Sequence, residues 1–553
     1  MRGKVLVILL FSVLFSSISA QKPVFTGLNY NNMAKPSMRF LASTTLDTLN
    51  LPFFDDFAYT GPAPDSRLWL DEDVYVNNSF SNNQITHGMA TFDHLDKNGI
   101  PYNFLNKFEV SGADTLTSQA INLFVDERRS TNYSVADSIM LSFFIETGGL
   151  GDEPDRDDTL KLQFKENTGL WNTVWQTNDD SFDVFTKIYA LIDAPKYLIN
   201  DFQFRFLNVT KNSGNMNHFN IDYIQMNSGR VRNEQIIDVA FTLPPPSITQ
   251  GYSIMPYDHF VTSPGTWSNA SRTIFFKNNR SSLIFVDLQS RTLDPSNNEI
   301  FFQDFNAAQG LNAAPMVETS FNYGSVTIPS ISLDSFTLAS SFRMRSTGNN
   351  ATQTDYNALM NNDSIYREDI FNQMYAYDDG SAEGGFGLDY GGLPDGPAFC
   401  AMQFTNIKTD SLHGIDIHFN RALEDVGNRP IDLIIWQNIG TGGDVIIREI
   451  KTTPTFVNRK NGFARFELDT NIILPAGEFF VGWRQNSAFI INVGWDKNYQ
   501  NTGSNKIFYN FTGSWVPLSS SFEGTLMMRP LIGRSIPKFV SNERVKQDNT
   551  LEV

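Results

Sequence analysis

Apolar and polar residues alternate along this chain, and that two-residue period constrains the fold more than any other feature. Leu160, Leu162 and Phe164 interleave with Lys161, Gln163 and Lys165, and Phe202, Phe204 and Phe206 with Gln203 and Arg205. The pattern returns at Phe219, Ile221 and Tyr223, at Ile415, Ile417 and Phe419, and at Phe466 and Leu468. Successive side chains of a strand point to opposite faces, so this period makes half-buried antiparallel strands, whereas a helix needs an apolar residue every third or fourth position. Helical spacing is nearly absent. Turn signals punctuate the pattern: Asn-Gly at 98–99 and 461–462, and Gly-Gly at 148–149, 384–385 and 442–443. Short strands separated by such turns predict an all-β chain of sandwiches.

The 553 residues suffice for about three or four domains. Residues 21–50 are polar and aperiodic and read as a loosely held leader. The first domain is placed at 51–230 and the second at 231–366. The second has the length of an immunoglobulin-like sandwich and holds the stiff Pro244-Pro245-Pro246 near its start. The third is placed at 375–533. The segment 534–553 has no core pattern and reads as a linker.

Arg2 and Lys4 precede an apolar run from Val5 to Phe15, and Ile18-Ser19-Ala20 supplies small residues before Gln21. That is the layout of a secretory signal over 1–20, too short to span a bilayer. The expected location is therefore extracellular or on the outer cell surface. No later stretch is apolar enough for a membrane span. Cys400 is the only cysteine, so no intrachain disulfide can form and the cores must hold the domains. Net charge is −18, from 42 Lys and Arg against 60 Asp and Glu. Such a surface repels phosphate backbones, which argues against nucleic-acid binding and suits divalent cations.

Several segments resemble large secreted proteins of the Bacteroidetes that leave by the type IX secretion system. In the first domain they are Leu51-Pro52-Phe53-Phe54-Asp55-Asp56-Phe57, Met89-Ala90-Thr91-Phe92-Asp93, Trp171-Asn172-Thr173-Val174-Trp175 and Ile221-Asp222-Tyr223-Ile224. In the third they are Tyr377-Asp378-Asp379-Gly380-Ser381-Ala382-Glu383, the run Leu474 to Trp483, Asn492-Val493-Gly494-Trp495-Asp496 and Leu526-Met527-Met528-Arg529-Pro530. The resemblance implies jelly-roll sandwiches, similar to MAM-like, lectin-like and carbohydrate-binding modules, for domains one and three, giving the order jelly roll, Ig-like, jelly roll. It also implies a C-terminal sorting domain and the secretion machinery as a partner. The sequence ends at Leu551-Glu552-Val553, where the first strand of such a domain would begin, so a continuation is expected.

Two calcium proposals arise. In the acidic loop Asp152, Glu153, Asp155, Asp157 and Asp158, clustered carboxylates could supply several of the six to eight oxygens Ca²⁺ takes, although the spacing is not that of an EF-hand. A solvated hairpin loop is the alternative. The second proposal follows from the resemblance: jelly-roll modules often hold structural Ca²⁺ between an acid on the first strand and one on the last, here Asp55 or Asp56 with Asp222. The alternative is carboxylates capping backbone N–H groups. Asp378 and Asp379 raise the same question in domain three.

Among His87, His94, His218, His259, His413 and His418 no close ligand motif exists, so zinc is not expected. Cys400 lies in an apolar context and reads as a buried, inert thiol. No Gly-x-Ser-x-Gly is present, and no catalytic motif is found. Aromatic rings suit sugar faces. Trp171 and Trp175, four apart and so expected on one strand face, and the loop residues Tyr390, Tyr499 and Phe386 are the candidate contacts, with core packing the alternative for the tryptophans. The expected function is binding or adhesion to glycan or protein through sandwich loops, with an extracellular hydrolase, its accessory module, or a structural stalk as alternatives.

Overall fold

In a computed structural model of the chain the alternating segments pair into sheets, antiparallel except where Ile254–Met255 joins Ser364–Phe371, that stack as three successive β-sandwiches. The structure describes residues 22–26, 48–99, 102, 110–177, 182–211, 216–305, 311–347, 361–390, 396–420, 426–457, 461–498 and 504–533. The signal segment, the tail 534–553 and Tyr499 lie outside these residues.

The first sandwich sets a four-stranded sheet against a larger one. The four run in the order Trp171–Thr177, Thr159–Lys165, Phe204–Lys211 and Val110–Thr117. The facing sheet runs Thr186–Leu191, Met140–Thr147, Phe219–Asn227, Met89–Phe92 and Tyr75–Asn77, with Phe53–Asp55 on the far half of Phe219–Asn227. Leu160, Leu162 and Phe164 are fully buried, while Lys161, Gln163 and Lys165 face outward, as the alternation requires. Phenyl rings fill the interior edge to face: Phe143 lies 5.2 Å from Trp175 and 4.8 Å from Phe206, and Phe53 lies 5.2 Å from Phe204. On Phe219–Asn227 every residue from Phe219 to Ile224 is buried, because loop 79–88 and the second sandwich cover that sheet's back.

In the second sandwich, Val239–Phe241, Ser271–Asn278 and Glu318–Gly324 face a sheet ordered Ile254–Met255, Ser364–Phe371, Phe336–Thr347, Ile284–Leu293 and Glu299–Phe305. The expected boundary at 366 therefore falls inside a strand that continues to Phe371. The third sandwich has a six-stranded layer, from Val445–Thr452 through Ile431–Asn438, Gly477–Gln485 and Ala398–Asn406 to Ile507–Asn510 and Val516–Pro517. Two smaller sheets face it: Ala464–Leu474, Asp410–Ile417 and Met528–Ile532 in one, and Gly384–Asp389, Asn492–Asp496 and Phe419–Asn420 in the other. Lys22–Thr26, expected in a loose leader, pairs antiparallel with Gly384–Asp389 and extends that last sheet.

The second and third sandwiches share one apolar cluster. Tyr252, Met255, Tyr257, Phe260, Phe336 and Phe371 pack with Tyr375, Tyr377, Phe404 and Phe479. The Tyr252 ring stacks on Tyr375 at 4.5 Å and on Tyr377 at 4.7 Å. Cys400 is buried in this cluster, and burial pushes its thiol pKa up, which makes it inert. Among the described residues no helix is long and apolar enough to cross a membrane.

Candidate functional site

The outward face of the four-stranded sheet in the first sandwich carries Trp171, pinned by its neighbours. The Arg205 guanidinium stands 4.3 Å from the centre of the Trp171 ring system. Arg205 Nε donates to Gln163 Oε1 at 2.8 Å, and Gln163 Nε2 donates to Thr173 Oγ1 at 3.1 Å. Lys165 Nζ donates to Gln203 Oε1 at 2.8 Å, and Lys161 projects from the same strand face. One flat ring, three cations and a fixed set of amide and hydroxyl groups thus share an open sheet surface of an acidic protein. A stacked guanidinium and an indole present apolar and donor surfaces side by side, the pair of features a polyol needs.

Trp175 does not join this face. The ladder between Trp171–Thr177 and Thr159–Lys165 has a register shift between Thr173 and Trp175, with Val174 the extra residue. Trp171 therefore opposes Lys165 on the outside and Trp175 opposes Leu162 on the inside. The expectation that a four-residue spacing puts both on one face fails through this bulge. Tyr390 is also displaced from its expected role: it is 1% exposed, its hydroxyl donates to the main-chain oxygens of Gln485, at 2.9 Å, and Gly396, and its ring meets Phe511 edge-on. Phe386 is likewise buried, stacked on Trp495.

The expected calcium ligands are brought partly together, and their oxygens are occupied by donors. Asp55 accepts from Trp69 Nε1 at 2.7 Å, from Tyr59 Oη at 3.2 Å and from the Phe57 N–H at 2.9 Å, while burial pushes its pKa up to about 7. Asp56 accepts from the N–H groups of Ala58 at 3.2 Å and Asn361 at 2.9 Å. Asp222 accepts from Thr86 Oγ1 at 2.9 Å and from the Thr86 N–H at 3.2 Å, and burial followed by the Asp56 charge raises its pKa. Asp56, one residue past the strand Phe53–Asp55, does lie beside Asp222 of Phe219–Asn227, on the seam with the second sandwich, where Asp238 joins them. This is the capping arrangement: carboxylates holding N–H and O–H groups.

In the acidic loop, Asp152 accepts from the Asn217 N–H at 3.1 Å, and Asp155 and Asp157 are exposed. Asp158, fully buried, closes the turn by accepting from the Asp155 N–H at 3.0 Å and from Thr210 Oγ1. In the third sandwich Asp378 is held by the Arg529 guanidinium, whose Nε lies 3.1 Å from Oδ2, and Asp379 is exposed and caps Ser381. None of these aspartates falls in a set of three ligand atoms within 4.8 Å of one another; among the described residues Asp258, His259 and Asp410 do. Sequence reading missed that group because Asp410 lies about 150 residues from the Asp258-His259 pair, and only the packing of the second sandwich on the third joins them.

No family model matches the sequence, and no curated protein matches it. Among solved structures, a beta-glucuronidase of Bacteroides uniformis aligns over 52% of this chain and 29% of its own, at 10% identity and a TM-score of 0.20. A GH2 beta-galacturonidase of Eisenbergiella tayi aligns over 59% and 44%, at 9% identity and 0.21. A beta-glucuronidase of Parabacteroides merdae aligns over 51% and 30%, at 8% identity and 0.20. The chain thus spans less than half the length of each.

Proposed function

We propose that this chain is an exported, surface-associated binding protein that recognises glycans on the open face of its first sandwich, around Trp171. The observation that carries the reading is the indole held on the outside of a rigid sheet by Arg205, within a lattice of Gln163, Thr173, Lys165 and Gln203. Side chains locked by their neighbours lose little freedom when a ligand arrives, so such a face binds without reorganising. The contact surface is then the sheet itself, and loops frame it. The N-terminal signal pattern supports the extracellular setting, and the all-β, disulfide-free build suits a display scaffold.

The test is glycan-array binding by the full chain followed by calorimetry on any ligand found. Trp171→Ala is expected to abolish binding with the melting temperature nearly unchanged. Retained affinity in Trp171→Ala, the absence of any glycan ligand, or turnover of the bound polysaccharide would sink the proposal.

A further inference from the structure

Where the second sandwich meets the third, the short helix Tyr257–Phe260 lies against the start of the strand Asp410–Ile417. His259 is fully buried; its Nε2 lies 2.9 Å from Asp410 Oδ2 and its Nδ1 lies 2.5 Å from Tyr375 Oη. Asp258, half exposed, holds Lys408 Nζ at 2.5 Å from its Oδ2. One ligand atom from each of Asp258, His259 and Asp410 lies within 4.8 Å of the other two. We propose that these three side chains form a divalent transition-metal site of the Zn²⁺ or Co²⁺ type, at the edge of the groove that Asp258 also lines.

Four features of the site support this. Ligand atoms about 2.0–2.2 Å from a common ion lie about 3.3–3.6 Å apart in a tetrahedral set, so three atoms within 4.8 Å of one another need close by only about 1 Å, which side-chain rotations supply. The donor set, one imidazole nitrogen and two carboxylates, suits zinc-like ions; calcium takes oxygen ligands only. The outer contacts are those of a metal-bound histidine. Tyr375 Oη, which already accepts the Ile407 N–H at 3.1 Å, can also accept a hydrogen bond from the Nδ1–H tautomer of His259, and the ion then takes the Nε2 lone pair in place of the Nε2–H···Asp410 hydrogen bond. The Ser411 N–H, 2.7 Å from Asp410 Oδ1, likewise fixes that carboxylate with Oδ2 turned to His259. The charges also call for a cation. Two carboxylates, a neutral imidazole and one ammonium sum to −1; a divalent ion with Lys408 swung out to solvent brings the sum to zero.

A groove of about 530 Å³ adjoins the site, walled by Asp258, Tyr257, Val261, Ile331, Leu333 and Gln373. Three protein ligands leave at least one coordination position open, the arrangement of a site that takes water or an exogenous ligand. Ser330, Ser332 and Asp334 also line the groove, so its walls are mixed, and a small polar molecule with one oxygen or nitrogen donor for the ion matches them.

The experiment uses the full chain, free of any tag and stripped by chelator, titrated with Zn²⁺ and with Co²⁺, whose visible absorption reports inner-shell ligation. One ion per chain is expected. Asp258→Asn and Asp410→Asn, each removing a ligand charge, should weaken binding by at least the roughly 10- to 100-fold that loss of an outer-shell partner costs. Asp258→Asn keeps the test valid if Asp410→Asn fails to fold, because its side chain is half exposed and its bond is to the surface Lys408. Lys408→Ala removes the competing ammonium and should tighten binding several-fold, which a purely structural ion pair would not do. Absence of a Co²⁺ spectrum, or affinity unchanged in Asp258→Asn and in Lys408→Ala, overturns the proposal.

Discussion

Glu146 is fully buried on the strand Met140–Thr147, and desolvation, only partly offset by the Ser81 hydroxyl and the N–H groups of Asn82 and Asn83, pushes its pKa up to about 7 against 4.5 in an open chain. Asp55 and Glu383 are pushed to about 7 and Asp56 and Asp238 to about 6, in each case with burial the main cause. At these five carboxyls the folded state therefore holds more protons than the unfolded chain between about pH 4 and pH 7, and their contribution to stability falls as pH rises through that window; the buried His87, His94 and His418, lowered to about 4, 3 and 4, oppose this below about pH 6.5 but are fewer. This is the reverse of ordinary acid denaturation. Melting temperature is expected to be higher at pH 5 than at pH 8. For Glu146 alone, a folded pKa near 7 corresponds to about 3 kcal/mol lost by pH 8. Glu146→Gln should recover much of that at pH 8 and change little at pH 5. An equal shift at both pH values would refute the assignment.

At the scale of single elements, the strand Trp171–Thr177 carries two tryptophans with opposite duties. Trp175 packs on Phe143 inside, and Trp171 lies outside under Arg205. Trp175→Ala should cost about 3 kcal/mol by leaving a cavity, and Trp171→Ala about 1 kcal/mol or less, read as denaturation midpoints at equal slope. Equal costs would mean that the bulge at Val174 does not exist in solution. The alternation at 160–165 was legible in the sequence because burial of one face is written into that strand itself. The bulge was not, because the string Trp-Asn-Thr-Val-Trp-Gln-Thr alternates equally well without it, and the extra residue is defined only by the partner strand. Tyr390 was misread for a related reason. Its Gly-rich surroundings look like an exposed loop, yet its hydroxyl reaches Gln485, 95 residues later. The juxtaposition of Asp56 with Asp222 followed from the resemblance, but the N–H of Asn361 that occupies Asp56 comes from another sandwich.

Across the whole molecule the seams differ in kind. The first sandwich meets its neighbours mainly through polar contacts, the Asn361 N–H on Asp56, Asn279 Nδ2 on the Ile85 oxygen at 3.3 Å, and Lys497 Nζ on the Leu150 oxygen at 2.5 Å, with a small apolar patch where Ile236 packs on the cluster of Phe54, Ile85, Phe144 and Tyr223. Its own large core contains no residue beyond Met226. The second and third sandwiches instead merge through the tyrosine stack and the phenyl rings around Tyr257. A large shared apolar core couples folding far more strongly than a few polar contacts and a small apolar patch do, so calorimetry should resolve two transitions, one for the first sandwich and one for the other two together. Tyr252 is the residue to probe. Its ring lies between Tyr375 and Tyr377, and its oxygen accepts the Thr405 N–H at 2.7 Å. Tyr252→Ala should cost about 3–5 kcal/mol, and Tyr252→Phe, which keeps the stack and loses the hydroxyl's hydrogen bonds to Thr405 and Tyr377, about 1–2 kcal/mol. Both losses should fall on the shared transition and leave the first sandwich's melting temperature in place. A third, independent transition, or a Tyr252→Ala variant in which only the third sandwich melts early, would show that the common core does not join the two.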